Sequence, residues 1–144
     1  MNDITVNGTV SDSIIVRGTN SVVTSSTVIN AGSHSLVVQK SRNSIIKNVV
    51  TSGSKYNNIA IASSDDVTLD GARVGGVKST GYSNILLSST SHSTIQGISI
   101  LSGLKSAPYT IEESGNSDYN SIGISNQSGV TIKIIGPNTV LKTL

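Results

Sequence analysis

A short apolar segment recurs along this chain at a nearly fixed step. Asn84-Ile85-Leu86-Leu87 has one copy before it, Asn58-Ile59-Ala60-Ile61, and one after it, Thr110-Ile111-Glu112-Glu113, each about 26 residues away. Two earlier copies, Ser35-Leu36-Val37-Val38 and Ser13-Ile14-Ile15-Val16, stand at a step of about 22–23 residues. A period in this range marks a solenoid: one unit cannot bury its apolar face alone and must stack on its neighbours.

Within each copy two apolar residues lie at i and i+2, namely Ile14/Val16, Leu36/Val38, Ile59/Ile61 and Ile85/Leu87. That spacing puts both on one face of a strand. A polar turn follows, at Arg17–Asn20, Gln39–Asn43, Ser63–Asp66 and Ser88–His92. A second strand supplies Val23, Ile46, Leu69, Ile95 and Ile122 as inward residues, and a third position supplies Val28, Val50, Val74 and Ile100. Gly, Ser and Asn fill the corners, where positive φ or side-chain-to-backbone bonds are needed. Three short parallel strands per turn make an all-β fold, a right-handed parallel β-helix of about five to six rungs. Residues 1–144 form one domain, with 1–12 an incomplete first rung and 126–144 a closing rung.

Composition agrees with a thin aliphatic column. The chain has no Phe, Trp or Cys and only four Tyr, whereas a globule of this size would centre on large aromatic side chains. The net charge of +2 is scattered, without the basic stripe expected of a nucleic-acid binder. No apolar run has the length of a membrane span, so membrane insertion is not expected, and the N-terminus lacks a signal-peptide pattern. It also lacks a capping helix, so the chain is expected to be a C-terminal piece of a longer β-helix.

Between the inward pair of each first strand stands an outward residue that is apolar as well: Ile15, Val37, Ala60 and Leu86. Stacked, they would form an exposed stripe, and such a stripe usually marks an interface; a homotrimer is the expected assembly. A stripe covered by another part of the same chain, or a misassigned face, would remove that expectation.

Three groups of residues could carry chemistry. Asp65 and Asp66 share a rung, and Glu112 lies two rungs on; paired carboxylates at about 5–10 Å hydrolyse glycosides, although Asp is also a common turn residue. Glu113 takes the inward place of Val16, Val38, Ile61 and Leu87; either it is an inward carboxylate near the capped end or the strand stops at Ile111, and the second is expected. In the loops before the first strands, Lys78 with Tyr82 and Lys105 with Tyr109 follow an earlier Lys55-Tyr56. Tyr rings stack on sugar faces and Lys bonds hydroxyl or carboxylate groups, while the same side chains could simply cover a rung corner. His34 and His92 have no local His or Cys partner, so no metal and no cofactor are expected.

The repeated rung openings Asn58-Ile59 and Asn84-Ile85 resemble those of the pectate-lyase-like right-handed β-helix superfamily. So does the ending Ile111-Glu112-Glu113-Ser114-Gly115-Asn116-Ser117-Asp118-Tyr119-Asn120, followed by Gly136-Pro137-Asn138-Thr139-Val140. Similar endings occur in phage tailspikes, capsule depolymerases and bacterial surface β-helix proteins. The resemblance implies a virion-tail or cell-surface location and a partner that is a cell-surface polysaccharide. Of the motifs of polygalacturonase-like enzymes only Asp65-Asp66 has a match, in another context, and no acidic cluster accompanies Arg17, Arg42 or Arg73 as in pectate lyases. The leading expectation is a trimeric tailspike-like shaft that binds polysaccharide through Lys78, Tyr82, Lys105 and Tyr109. The alternatives are a polysaccharide lyase or hydrolase acting through Asp65, Asp66 and Glu112, and a purely structural folding module.

Overall fold

The computed structural model describes residues 1–101, 107–124 and 129–144. In chain order the strands are β1 (Thr5–Asn7), β2 (Ile14–Thr19), β3 (Val22–Thr24), β4 (Thr27–Ile29), β5 (Leu36–Lys47), β6 (Val50–Ser52), β7 (Ile59–Ala62) and β8 (Asp65–Asp70). They continue with β9 (Arg73–Val74), β10 (Ile85–Ser88), β11 (Thr94–Gln96), β12 (Ser99–Ile100), β13 (Ile111–Ser114), β14 (Ser121–Ile124), β15 (Ile132–Lys133) and β16 (Val140–Thr143). Every strand pairing is parallel. The chain winds through about six turns of a β-helix.

The strands form three columns. Column one runs β2, β5, β7, β10, β13, β15, and column two runs β3, β5, β8, β11, β14, β16; the long β5 belongs to both and joins them into one sheet. Column three is the separate sheet β1-β4-β6-β9-β12. The inward residues of columns one and two are those expected from the alternation: Ile14, Val16, Leu36, Val38, Ile59, Ile61, Ile85 and Leu87, then Val23, Ile46, Leu69, Ile95 and Ile122, all buried in one continuous core. Aligned Val, Ile and Leu fill a column whose rungs stand about 4.8 Å apart, and no aromatic side chain is needed there.

Column three departs from the expectation at two places. Thr51, not Val50, is in register with Val28 and Val74 and points inward, while Val50 aligns with Thr27 and Arg73. Thr is β-branched like Val and packs in the same place. Ile100 aligns with Val74 as expected but stays 37% exposed, β12 being the last strand of that sheet among the described residues.

The corners are built from stacked left-handed residues. Asn20, Asn43, Asp66, His92 and Tyr119 form one such column with φ of 51–56°, each following the in-register series Thr19, Arg42, Asp65, Ser91, Asp118. Lys40, Ser63, Ser89 and Gly115 form a second, and Asp3, Ser25, Asn48, Gly71 and Gly97 a third. The polar turn expected at Gln39–Asn43 is thus a pair of left-handed residues, Lys40 and Asn43, inside the continuous β5. Gly71 has φ +69°, and an added Cβ there would stand 2.6 Å from Oδ1 of Asn48 one rung below.

Buried hydroxyls close the corner between columns one and two. Ser41, Thr90 and Ser117 donate to the carbonyls of Gly18, Ile61 and Leu87, each one rung back, at 2.8, 3.0 and 3.0 Å. The inward column then ends on a carboxylate. Contrary to the expectation that the strand stops at Ile111, β13 runs through Ser114 and Glu113 is completely buried. Its Oε1 accepts from Asn120 Nδ2 (2.9 Å) and Thr139 Oγ1 (2.8 Å), and its Oε2 from the N–H groups of Ile135 (3.1 Å) and Gly136 (3.0 Å). Four donors make the inward carboxylate tolerable where an unpaired one would not be.

Two stability outcomes follow. Glu113→Leu restores an apolar column but strands the Ile135 and Gly136 N–H groups, and should lower unfolding free energy by at least about 2 kcal/mol; equal stability in urea unfolding would remove the cap from the account. Gly71→Ala should cost about 1–2 kcal/mol from the left-handed backbone, read in the same experiment.

Candidate functional site

The outward row of column one continues further than the apolar stripe. Ile15, Val37, Ala60, Leu86, Glu112 and Lys133 stand in register on successive rungs. The row is not a continuous exposed stripe: Ile15 is 44% exposed, but Val37 and Ala60 are only 9% and 6% exposed, and Leu86 is half-buried. Neighbours one rung apart shield one another's flanks, and most of all the small Ala60 between Val37 and Leu86. What remains exposed is a patch at the first rungs, formed by Ile15 with Val22 and Ile45 of column two.

At the other end of the row Glu112 accepts from Lys133 Nζ (2.8 Å) and from the Ser83 hydroxyl. Partial burial acts to raise the Glu112 pKa, but the hydrogen bonds from Lys133 and Ser83 and the Lys133 charge outweigh it and hold it below the ordinary value. The same hydrogen bond and the Glu112 charge raise Lys133. Lys133 Nζ also lies 5.6 Å from the centre of the Tyr109 ring, so Ser83, Tyr109, Glu112 and Lys133 make one polar cluster.

Beside this row, the corner that precedes each first strand carries the aromatic side chains. Its inside is plugged by short polar residues. Ser35 and Ser54 hydroxyls meet at 2.5 Å, Ser54 Oγ donates to Asn58 Oδ1 (2.8 Å), and Asn58 Nδ2 donates to Gly75 O (2.6 Å) and to Asn84 Oδ1 (2.9 Å). Asn57 Nδ2 donates to Ser83 O at 2.7 Å. These buried bonds fix the backbone of the corner, and the bulky residues just before it are left on the outside. The ring centres of His34 and Tyr56 are 5.7 Å apart, those of Tyr56 and Tyr82 4.7 Å apart, and Lys55 Nζ stands 5.2 Å from the Tyr56 ring centre. The Tyr82 ring is thus packed on Tyr56, and Tyr109 on Lys133. Lys78 is exposed, its N–H donating to Ser54 O at 2.8 Å. Lys105 lies outside the described residues.

Asp65 and Asp66 lie at the opposite corner, at the start of β8. Asp65 bonds His92 Nδ1 (2.8 Å) and faces Arg42 Nε (3.7 Å), while Asp66 is exposed. Asp118, not Glu112, occupies the column of Asp65 two rungs on. The arc from Glu112 to Asp118 therefore separates the carboxylates in addition to the rise, and the structure does not bring Asp65 or Asp66 to Glu112. Among the described residues, no group of three or more His, Asp or Glu side chains is placed to hold a metal ion.

No protein-family model and no curated protein sequence matches the chain. Solved structures do. Tailspike protein 2 of bacteriophage CBA120, as its enzymatically active domain, superposes with a TM-score of 0.76 at 18% identity over 99% of this chain. The chain has a parallel β-helix fold. The A-modules of the mannuronan C-5 epimerases AlgE4 and AlgE6 of Azotobacter vinelandii share this β-helix at TM-scores of 0.60 and 0.61, with 15% and 12% identity over 97% and 99% of the chain. This β-helix spans 25% of the tailspike domain and 58% of each epimerase module.

Sequence reasoning placed Tyr82, Tyr109 and Lys78 on one edge, but missed His34 and Lys133. Lys133 could be found only by aligning Ile132-Lys133 with Ile111-Glu112, a copy whose step is shorter than the others. The Glu112–Lys133 pair gives a pH signature. The lowered Glu112 pKa contributes stability above the unfolded value, about 4.3, and that stability is lost as pH falls through the folded value. Glu112→Gln should flatten the acid limb of a melting-temperature profile between about pH 5 and 3; an unchanged limb would mean the pair contributes nothing.

Proposed function

We propose that this β-helix is a rigid module that binds an extended polysaccharide along the corner carrying Tyr56, Tyr82 and Tyr109, as part of a tailspike-type protein at a virion tail or cell surface. The observation that carries the reading is the aromatic edge itself. Rings on successive rungs are spaced by the rung repeat of about 4.8 Å, so contacts recur along the axis and a chain of sugars can meet several of them. Polar groups border the rings: Lys55 at Tyr56, Lys133 and Glu112 at Tyr109, and exposed Lys78. The three lysines favour a polymer bearing carboxylates. Mannuronan, named for the two epimerase modules, is a polymer of that kind, and a tailspike is a protein of the tail. The fold supports the reading only at the level of architecture, because one fold hosts many activities; the edge supports it by its chemistry.

The module assembles as a homotrimer through the exposed Ile15, Val22 and Ile45 on the first rungs. Light scattering on a sizing column should return the mass of three chains, and Ile15→Asp with Ile45→Asp should return that of one; a monomeric parent would end the trimer reading. For the edge, Tyr56→Ala combined with Tyr82→Ala should weaken retention in polygalacturonate or alginate gels by about tenfold, which is 1.4 kcal/mol, with the melting temperature little changed. Retention equal to that of the parent would refute the edge.

A further inference from the structure

A second aromatic pair stands across the column-one face from the tyrosine edge, at the corner between columns one and two. The rings of His92 and Tyr119 lie on successive rungs, 5.3 Å apart with their planes 12° from parallel. Both are open to solvent: the His92 side chain is 62% exposed and Tyr119 is 56% exposed. Both also sit in the left-handed region, at φ of 52° and 55°. The earlier members of that corner column are Asn20, Asn43 and Asp66, types that take this conformation readily, as His does, whereas a bulky Tyr does not. Tyr119 thus carries a ring where the backbone favours Asn, Asp, His or Gly, and strain of this sort is characteristically kept where a side chain has a task.

The surroundings define what the rings would meet. His92 Nδ1 bonds Asp65 Oδ1 at 2.8 Å, which fixes the imidazole plane and turns Nε2 away from that carboxylate. Asp65 is held in turn by Arg42 at 3.7 Å. Asp118 accepts from the N–H of Asn138 (2.7 Å), from Asn138 Nδ2 (2.8 Å) and from the N–H of Tyr119 (2.9 Å). The two exposed rings are therefore set among carboxylates already oriented by other bonds, with Arg42 as the basic neighbour. Carboxylates accept hydrogen bonds from sugar hydroxyls and repel an anionic polymer.

We propose that His92 and Tyr119 form a stacking platform for a neutral pyranose unit, with Asp65 and Asp118 accepting from its hydroxyls. This site is distinct from the lysine-flanked tyrosine edge and stands on different residues.

The test is affinity electrophoresis at neutral pH in gels containing dextran, mannan or galactan, with a polygalacturonate gel alongside. The parent protein should be retarded by at least one of the three neutral polymers. Tyr119→Asn should remove that retardation, weakening binding at least tenfold, and should keep or raise the melting temperature because Asn relieves the left-handed strain. Tyr82→Ala should leave the neutral-gel retardation as it was, so a failure of the tyrosine edge would be read separately in the polygalacturonate gel. Absence of retardation in all three neutral gels would overturn the proposal, as would retardation that survives Tyr119→Asn. A melting temperature lowered by Tyr119→Asn would also overturn it, because the stack would then be a structural clamp.

Discussion

Everything in this molecule depends on the register of one rung on the next. The ladder bonds run parallel to the axis, and they place a residue directly over its counterpart about 22 residues earlier in the first rungs and about 26 in the later ones. Columns one and two absorb little of that change, one residue at the register shift between Val16 and Gly18, and otherwise keep their partners: Ile59 still covers Leu36, and Ile85 covers Ile59. Most of the added residues fall between the end of column three and the start of column one, in the stretch between β9 and β10. The core demands identical geometry from every rung, so variation is pushed to one corner, and that corner bears the tyrosines.

Register also turns single side chains into rows. A lone outward Ile or Leu would be an ordinary surface residue. In a row, each is flanked by its neighbours, and Val37 and Ala60, standing between Ile15 and Leu86, are buried. The same logic joins Glu112 to Lys133 and sets Tyr56 against Tyr82. It makes many polar residues inside the column acceptable too, because Ser41, Asn57, Thr90 and Ser117 each find a carbonyl one rung away. Glu113 is the extreme case, satisfied only because the last segment returns Ile135, Gly136 and Thr139 to it.

The columns were legible in the sequence because strand alternation has a strict period and aliphatic residues keep to it, as Val23, Ile46, Leu69, Ile95 and Ile122 do. Column three was less legible, since Thr51 packs as Val does and a reader preferring Val50 slips the strand by one residue, which reverses its faces. Glu113 was misread because three of its four partners lie more than twenty residues away and nothing local foretells them. The edge was legible as a set of Lys and Tyr at repeating places. The contacts within it were not, because which ring meets which depends on the course of loops whose lengths differ between rungs. The aromatic pair at His92 and Tyr119 was hidden for a related reason: an αL corner is read first from Gly, Asn and Asp, and Tyr119 carries no such signal.

The account rests on rung register bringing specific rings together outside the core. The chain has only four tyrosines, so tyrosine-ring-labelled protein gives four resolvable spin systems in solution. Nuclear Overhauser contacts among them are the most direct test. The account predicts a ring-to-ring contact between Tyr56 and Tyr82, a contact from Tyr109 to the Lys133 side chain, and a contact from Tyr119 to His92. Absence of the Tyr56–Tyr82 contact, or Tyr56 found against a ring from a non-adjacent rung, would contradict the register on which the proposed edge is built.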